Sequence, residues 1–234
     1  MGYEWKENTL VAAVCDGMGG MAGGEQASHV AIQTIFGKLR GESLYEEGRY
    51  PRWIQEVFVS ADRNVYELTD GNGNFLQAGS TGVLLMIKGS HLFWGSVGDS
   101  GIYLLPNDGV LRRVNRMHNY SLRLEEMYQK GEISAVEKAA EEVHGEALIS
   151  YLGIGGLPLM DFSRQFYAME DGDVLILCSD GLYKSLDEQQ IQVIIEESGG
   201  NMTLAAQRLC EEAWRLATGK QDNTTVIAVR YFRR

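Results

Sequence analysis

Two apolar runs, Thr81–Ile87 and His91–Val97, flank Lys88-Gly-Ser90, and this hairpin signature is the strongest constraint on the fold. Strands joined by so short a turn run antiparallel, because a parallel pair needs a crossover of roughly a dozen residues or more. The pattern recurs. Gly101–Leu105 and Val110–Val114 flank the turn Asn107-Asp-Gly109. Arg164–Met169 and Val174–Ser179 flank Glu170-Asp-Gly172 and predict a third hairpin. Helical spacing marks Glu25–Arg40, with Ala27, Ala31, Ile35 and Leu39 on one stripe and Gly41 as its stop. It also marks Pro51–Thr69, Leu186–Glu197 and Thr203–Thr218. Residues 120–151 are helix-prone and charged, with a break near Gly131. Leu10–Cys15 and Thr224–Phe232 complete the strands. Hairpins with helices gathered in pairs predict an α+β class rather than alternating βαβ units.

With 234 residues, no low-complexity tract and only 3 Pro, the chain suits a single domain. It carries 21 Lys+Arg against 32 Asp+Glu, a net charge of −11, which disfavours nucleic acid and anionic membrane surfaces as partners. The longest apolar runs are too short to span a bilayer, and Met1–Asn8 lacks the apolar stretch of a signal peptide. Three cysteines, an odd number in apolar or helical settings, argue against a disulfide framework. The expected location is the cytoplasm.

Three carboxylates stand beside apolar strands: Asp16 after Val11–Cys15, Asp180 after Val174–Cys178, and Asp222 before Thr224–Val229. Gathered at the rim of one core, they repel one another unless a cation neutralises them, and oxygen donors suit hard ions such as Mg2+ or Mn2+. Gly17 leaves the backbone open for its carbonyl to join them. A lone Asp-Gly is more often a turn, and Glu170-Asp-Gly172 and Asn107-Asp-Gly109 are taken as turns. Cys15 and Cys178 fit small core residues, and so do Trp53, Trp94 and Trp214 as large ones.

Cys15-Asp-Gly-Met-Gly-Gly20 followed by Gly24-Glu-Gln-Ala-Ser28 resembles the first signature of the PPM-type (type 2C) metal-dependent protein Ser/Thr phosphatases. Gly79-Ser-Thr-Gly82, Val97-Gly-Asp-Ser100, Cys178-Ser-Asp-Gly-Leu182 and Asp222-Asn-Thr-Thr225 resemble the motifs that follow, in the family's order, across residues 11–230. The resemblance implies a four-layer α-β-β-α sandwich, two antiparallel sheets flanked by helix pairs, with two Mn2+ or Mg2+ ions at one end. By position, Asp16 bridges the ions, the Gly17 carbonyl, Asp180 and Asp222 each bind one, and Asp99 serves a third, weaker ion. The implied reaction is attack of a metal-bound hydroxide on the phosphorus of phosphoserine or phosphothreonine, with no phosphoenzyme. The implied partner is a phosphoprotein, a Ser/Thr kinase or its targets in bacterial signalling. Residues 120–145 correspond to a flap beside the site.

Some positions depart from the family pattern. Its first strand, which carries a phosphate-binding Arg and a further acidic ligand, is missing before Met1, so the domain is N-terminally short. Glu4 and Glu7 are on the wrong strand to replace that acid. The expectation is that further residues precede Met1 in the native protein. Without that strand, Thr224–Phe232 has an unpaired edge and offers a route to a dimer. Lys184 stands where many members have Asp, and its ammonium competes with a third ion. Met18 replaces a His proposed as general acid in animal members. His118 is then a candidate acid, against the commoner reading of a structural histidine. An alternative function is a non-catalytic regulatory module on the same fold, a pseudophosphatase. A nucleotide-binding loop at Asp16–Gly24 is rejected, because no Gly-Lys-Ser/Thr follows.

Overall fold

The computed structural model describes the chain except residues 20, 45, 218–222 and 234. The first half contains β1 (Gly2–Lys6), β2 (Thr9–Val14), β3 (Gly17–Met18), α1 (Met21–Gly41), α2 (Tyr50–Tyr66), β4 (Gly79–Ser80), β5 (Gly82–Lys88), β6 (His91–Val97), β7 (Gly101–Leu105) and β8 (Arg112–Arg113). The second half contains α3 (Tyr120–Gln129), α4 (Ala135–Glu141), β9 (Asp161–Phe162), β10 (Tyr167–Ala168), β11 (Val174–Cys178), α5 (Asp180–Tyr183), α6 (Glu188–Glu197), α7 (Met202–Leu216) and β12 (Val226–Arg230).

The strands form two main antiparallel sheets, in the orders β1-β2-β5-β6-β10 and β12-β11-β7-β8, with β9 also on β6 and a small β3–β4 ladder beside them. Side-chain alternation sorts the apolar residues into three layers of core. Val11, Ala13, Leu84 and Met86 pack beneath α1 and α2, against Ile35, Leu39, Val57 and Phe58. Leu10, Ala12, Val14, Val83 and Leu85 face the other way and meet Ile102, Leu104, Leu175 and Leu177 of the second sheet. Tyr103, Leu105, Ile176 and Cys178 pack beneath α6 and α7, against Ile191, Ile195 and Leu209. The result is the four-layer α-β-β-α sandwich. Its central strands are buried on both faces, which is why Leu10–Cys15 and Val174–Cys178 are continuous apolar runs rather than alternating ones. Each buried Val, Leu, Ile, Phe or Met side chain contributes about 1.5–3 kcal/mol by leaving water.

The first hairpin forms as expected, with Lys88 opposite His91 and Gly82 opposite Val97. The third does not. Tyr167 and Ala168 pair with Leu92 and His91 of β6, in the first sheet. Val174–Cys178 pairs with β7 and β12, in the second. The turn at 170–173 therefore carries the chain from one sheet to the other. Asp173, buried, fixes it there: its carboxylate accepts from the Glu170 N–H (2.9 Å) and from the Asn107 N–H (3.1 Å) beyond the end of β7.

Three smaller differences have local causes. Helix α1 begins at Met21 rather than Glu25, because Gly23 and Gly24 let its first turn lie against β3 and β4. A Cβ on Gly24 would stand 2.9 Å from the Gly17 backbone. The second hairpin's return strand shortens to Arg112–Arg113. Trp53 is buried and Trp94 packs against the inter-sheet core, but Trp214 is 71% exposed on α7.

Strand β1 lies outside the strands expected from the sequence, although Tyr3-Glu-Trp-Lys6 alternates apolar and charged residues as a strand does. A left-handed pair, Glu7 (φ 51°) and Asn8 (φ 62°), turns it onto β2. Its charged side chains secure the end of α1: the Lys6 ammonium donates to the Leu39 and Arg40 carbonyls, and Glu4 pairs with Arg40. Glu7 accepts from the Leu44 N–H at 2.6 Å.

One edge of the second sheet is β12, paired only with β11 among the described strands. Opposite it, Tyr3 and Trp5 of β1 are 67% and 68% exposed although they share the face of the inter-sheet core. Between the two edges lies a groove of about 950 Å³, lined by Tyr3, Trp5, Leu10, Ile227, Val229 and Phe232 among others. Among the described residues, no helix is long and apolar enough to cross a membrane.

Candidate metal centre

Asp16 leaves the end of β2 with its backbone fully engaged. Its carbonyl accepts from the Thr81 N–H (2.8 Å) and the Ser80 hydroxyl (3.0 Å), and its N–H donates to Thr81 Oγ1 (3.2 Å). Gly17 follows, exposed, in a position no side chain can occupy: a Cβ there would stand 1.9 Å from the Gly24 carbonyl oxygen. The same Thr81 hydroxyl shares a 2.6 Å hydrogen bond with Ser100. The first motif is thereby tied to the residue after Asp99.

Asp99 sits on a turn opened by Gly98 (φ 90°). Its carbonyl accepts from Arg113 and from the Tyr183 hydroxyl (3.0 Å), and the Arg113 guanidinium lies 4.7 Å over the Tyr183 ring. Burial, and then the Asp180 charge, push the Asp99 carboxyl above its ordinary range.

His118 is the correction at this site. It is 0% exposed, so it cannot donate a proton to a leaving group. Its Nδ1 accepts from the Gly98 N–H (3.2 Å), and its own N–H donates to the Gly98 carbonyl (3.0 Å). Nε2 lies 3.5 Å from Asp161 Oδ1. Burial alone would raise the Asp161 carboxyl, but His118 and the Arg116 side chain and N–H outweigh it and hold that carboxyl well below the usual range. His118 is thus a buried strut under the Gly98–Asp99 turn.

Asp180 begins α5. Ser179, before it, is stitched to β12's approach: its hydroxyl donates to the Asn223 carbonyl (3.0 Å) and accepts from the Thr225 N–H (2.9 Å). Gly181 permits this closeness, since a Cβ would lie 2.7 Å from Thr224 Oγ1. Asp180 is 9% exposed. Its Oδ2 accepts from Lys184 Nζ at 2.6 Å, while Oδ1 is buried with no hydrogen-bond partner. Lys184 also lies 3.6 Å from Glu146 Oε2.

Hydrogen bonds of their sequence neighbours therefore tie Asp16, Asp99 and Asp180, from both sheets, to one another and to Asn223. Asp222 lies outside the described residues. Among the described residues, no three His, Cys, Asp or Glu side chains converge closely enough to hold an ion alone. The donor set still fits a hard divalent cation: every candidate ligand is an oxygen, and a buried carboxylate oxygen without a partner costs free energy that a cation would offset. Cys15 and Cys178 take no part. Burial pushes both thiols up to about 12. Thr81 and Ser100 lie inside recognised motifs, but their linking role was not read from the sequence. Arg113, Asp161 and Tyr183 had no motif signal at all.

Comparison with known proteins places the chain in a family. Residues 3–212 match the family described as Protein phosphatase 2C. The serine/threonine phosphatase stp of Listeria monocytogenes is 28% identical over 97% of this chain and 86% of its own length. The serine/threonine phosphatase of S. agalactiae superposes with a TM-score of 0.82 at 20% identity, covering 99% of this chain and 91% of that one. The catalytic domain of the serine threonine protein phosphatase PstP, solved in complex with 2 manganese ions, gives 0.71 at 23% identity over 97% of this chain and 89% of that one. Motif order, sheet pairing and a family match spanning both sheets converge, and the chain belongs to the protein phosphatase 2C family.

Proposed function

We propose that this protein hydrolyses phosphoserine and phosphothreonine in other proteins, with two divalent ions, Mn2+ or Mg2+, held by Asp16, the Gly17 carbonyl, Asp180 and Asp222. Asp99 stands at a third, weaker position, where the Lys184 ammonium competes with an ion. The observation that carries this reading is the buried, unpartnered Oδ1 of Asp180, on a residue hydrogen-bonded through its neighbours to both Asp99 and Asn223. Bound ions of this kind lower the pKa of water toward neutrality and screen a phosphate's charge. The chain's own residues place the donors. Thr81 fixes Asp16, Arg113 and Tyr183 fix Asp99, and Ser179 fixes Asp180. Residues 120–145 form a flap of the single phosphatase domain, and Glu146 at its end reaches Lys184.

We place the enzyme in cytoplasmic signalling, opposite a Ser/Thr kinase or its targets. Three free cysteines and a phosphatase relative in Listeria support that reading. We also propose that two copies pair through the β12 edge, whose flanking groove is apolar and open.

The test is hydrolysis of p-nitrophenyl phosphate and a phosphothreonine peptide with Mn2+, with and without chelator, beside Asp180→Ala. Turnover should require the metal and fall about a hundredfold or more in the variant, since a metal contributes several kcal/mol at the transition state. Absence of metal-dependent turnover would overturn the reading and favour a non-catalytic module.

A further inference from the structure

Lys184 stands one helical turn after Asp180 and places its ammonium inside the carboxylate cluster. Nζ lies 2.6 Å from Asp180 Oδ2 and 3.6 Å from Glu146 Oε2, and the Asp99 charge acts on it as well. The neighbouring Arg113 is differently engaged: its guanidinium donates to the Asp99 and Ser100 carbonyls and stacks on Tyr183. Lys184 therefore neutralises the side chains on this flank, and its side chain is 39% exposed, with room to swing.

We propose that the Lys184 ammonium is a tethered resident cation that stands in for one divalent ion beside Asp180 and Asp99, and so limits how many ions this site accepts. The inference rests on the metal reading above. An ammonium and a divalent ion repel strongly at contact distances of a few ångströms, more so where water is excluded. An ion arriving on the Asp99 flank must displace Lys184 from Oδ2, whereas an ion bound through the unpartnered Oδ1 need not. The ammonium also compensates Asp180 in the metal-free protein, where a buried carboxylate would otherwise stand alone.

The experiment counts Mn2+ bound per chain by equilibrium dialysis in the wild type, Lys184→Met, Lys184→Arg and Asp180→Ala, each checked for folding by its melting curve. Met keeps the apolar stem without the charge. The Met variant should bind one Mn2+ more than the wild type, and the Arg variant should match the wild type. In chelator the Met variant should melt below the wild type, and Mn2+ should raise its Tm by more. Equal counts and equal Mn2+-induced shifts in wild type and Met variant would overturn the role of Lys184 while leaving the metal reading intact. Undiminished binding in Asp180→Ala would overturn the metal reading, and binding by none of the chains would overturn both.

Discussion

The two oxygens of Asp180 have opposite surroundings, one on an ammonium and one on nothing, and Asp161 shows the contrasting case of a carboxylate with every demand met. Arg116 approaches it with Nε, Nη2 and its own N–H, and His118 stands behind it. A carboxyl held below its ordinary range stabilises the fold above its unfolded pKa and loses that contribution as pH falls through the folded value. Asp161→Asn should therefore lower stability by about 1–3 kcal/mol at pH 7. The gap should narrow as pH drops below the unfolded Asp value of about 3.9. Thermal melts at pH 7 and pH 3 decide it, because an equal gap at both would show that the carboxylate charge is not the cause. At this scale Asp16, Asp99 and Asp180 were legible because each sits in a motif beside an apolar strand. Asp161 and Arg113 were not, because what they do depends on partners brought up by the fold.

The elements were legible where the pattern was long and local. Helix α2 runs Tyr50–Tyr66 where Pro51–Thr69 was expected, and α6 begins at a capping box, Asp187 with Gln190, that its sequence spells out. The failure at 164–179 has a different origin. Gly172 (φ 95°) announces a reversal of the chain, but a turn says nothing of which strands it joins. That choice is made by Asp173, by the Gly172 N–H donating to the Tyr231 carbonyl, and by the Tyr231 N–H donating back to the Asp173 carbonyl. Asp173→Ala would take the shared carboxylate acceptor from two backbone N–H groups, those of Glu170 and Asn107, at a half-buried turn. The expected loss is about 2–4 kcal/mol, read as a drop in the urea midpoint at unchanged slope. A midpoint within error of the wild type would mean that the β7–β11–β12 ladder alone holds the crossing.

For the whole molecule, the pairing proposed above would rest on the groove between β1 and β12. Exposed Tyr3, Trp5 and Phe232 favour association, and a charge of −11 on each copy opposes it. Sedimentation velocity should show a concentration-dependent dimer that strengthens with salt and is lost in Trp5→Lys, whereas a monomer at every concentration and salt would refute the pairing. The sheet registers also govern the order in which a growing chain can fold on the ribosome. The central pair of the first sheet joins Thr9 to Lys88, so β2 waits through the synthesis of α1 and α2 before it meets β5. In the second sheet Gly101 waits for Cys178, and Cys178 for Val226. Domains with such distant pairings close slowly and expose their strand edges meanwhile. The first sheet with its helix pair can be complete up to β6 while the second is still a set of unpaired strands. The carboxylates of the two sheets therefore come together only after nearly the whole chain has emerged.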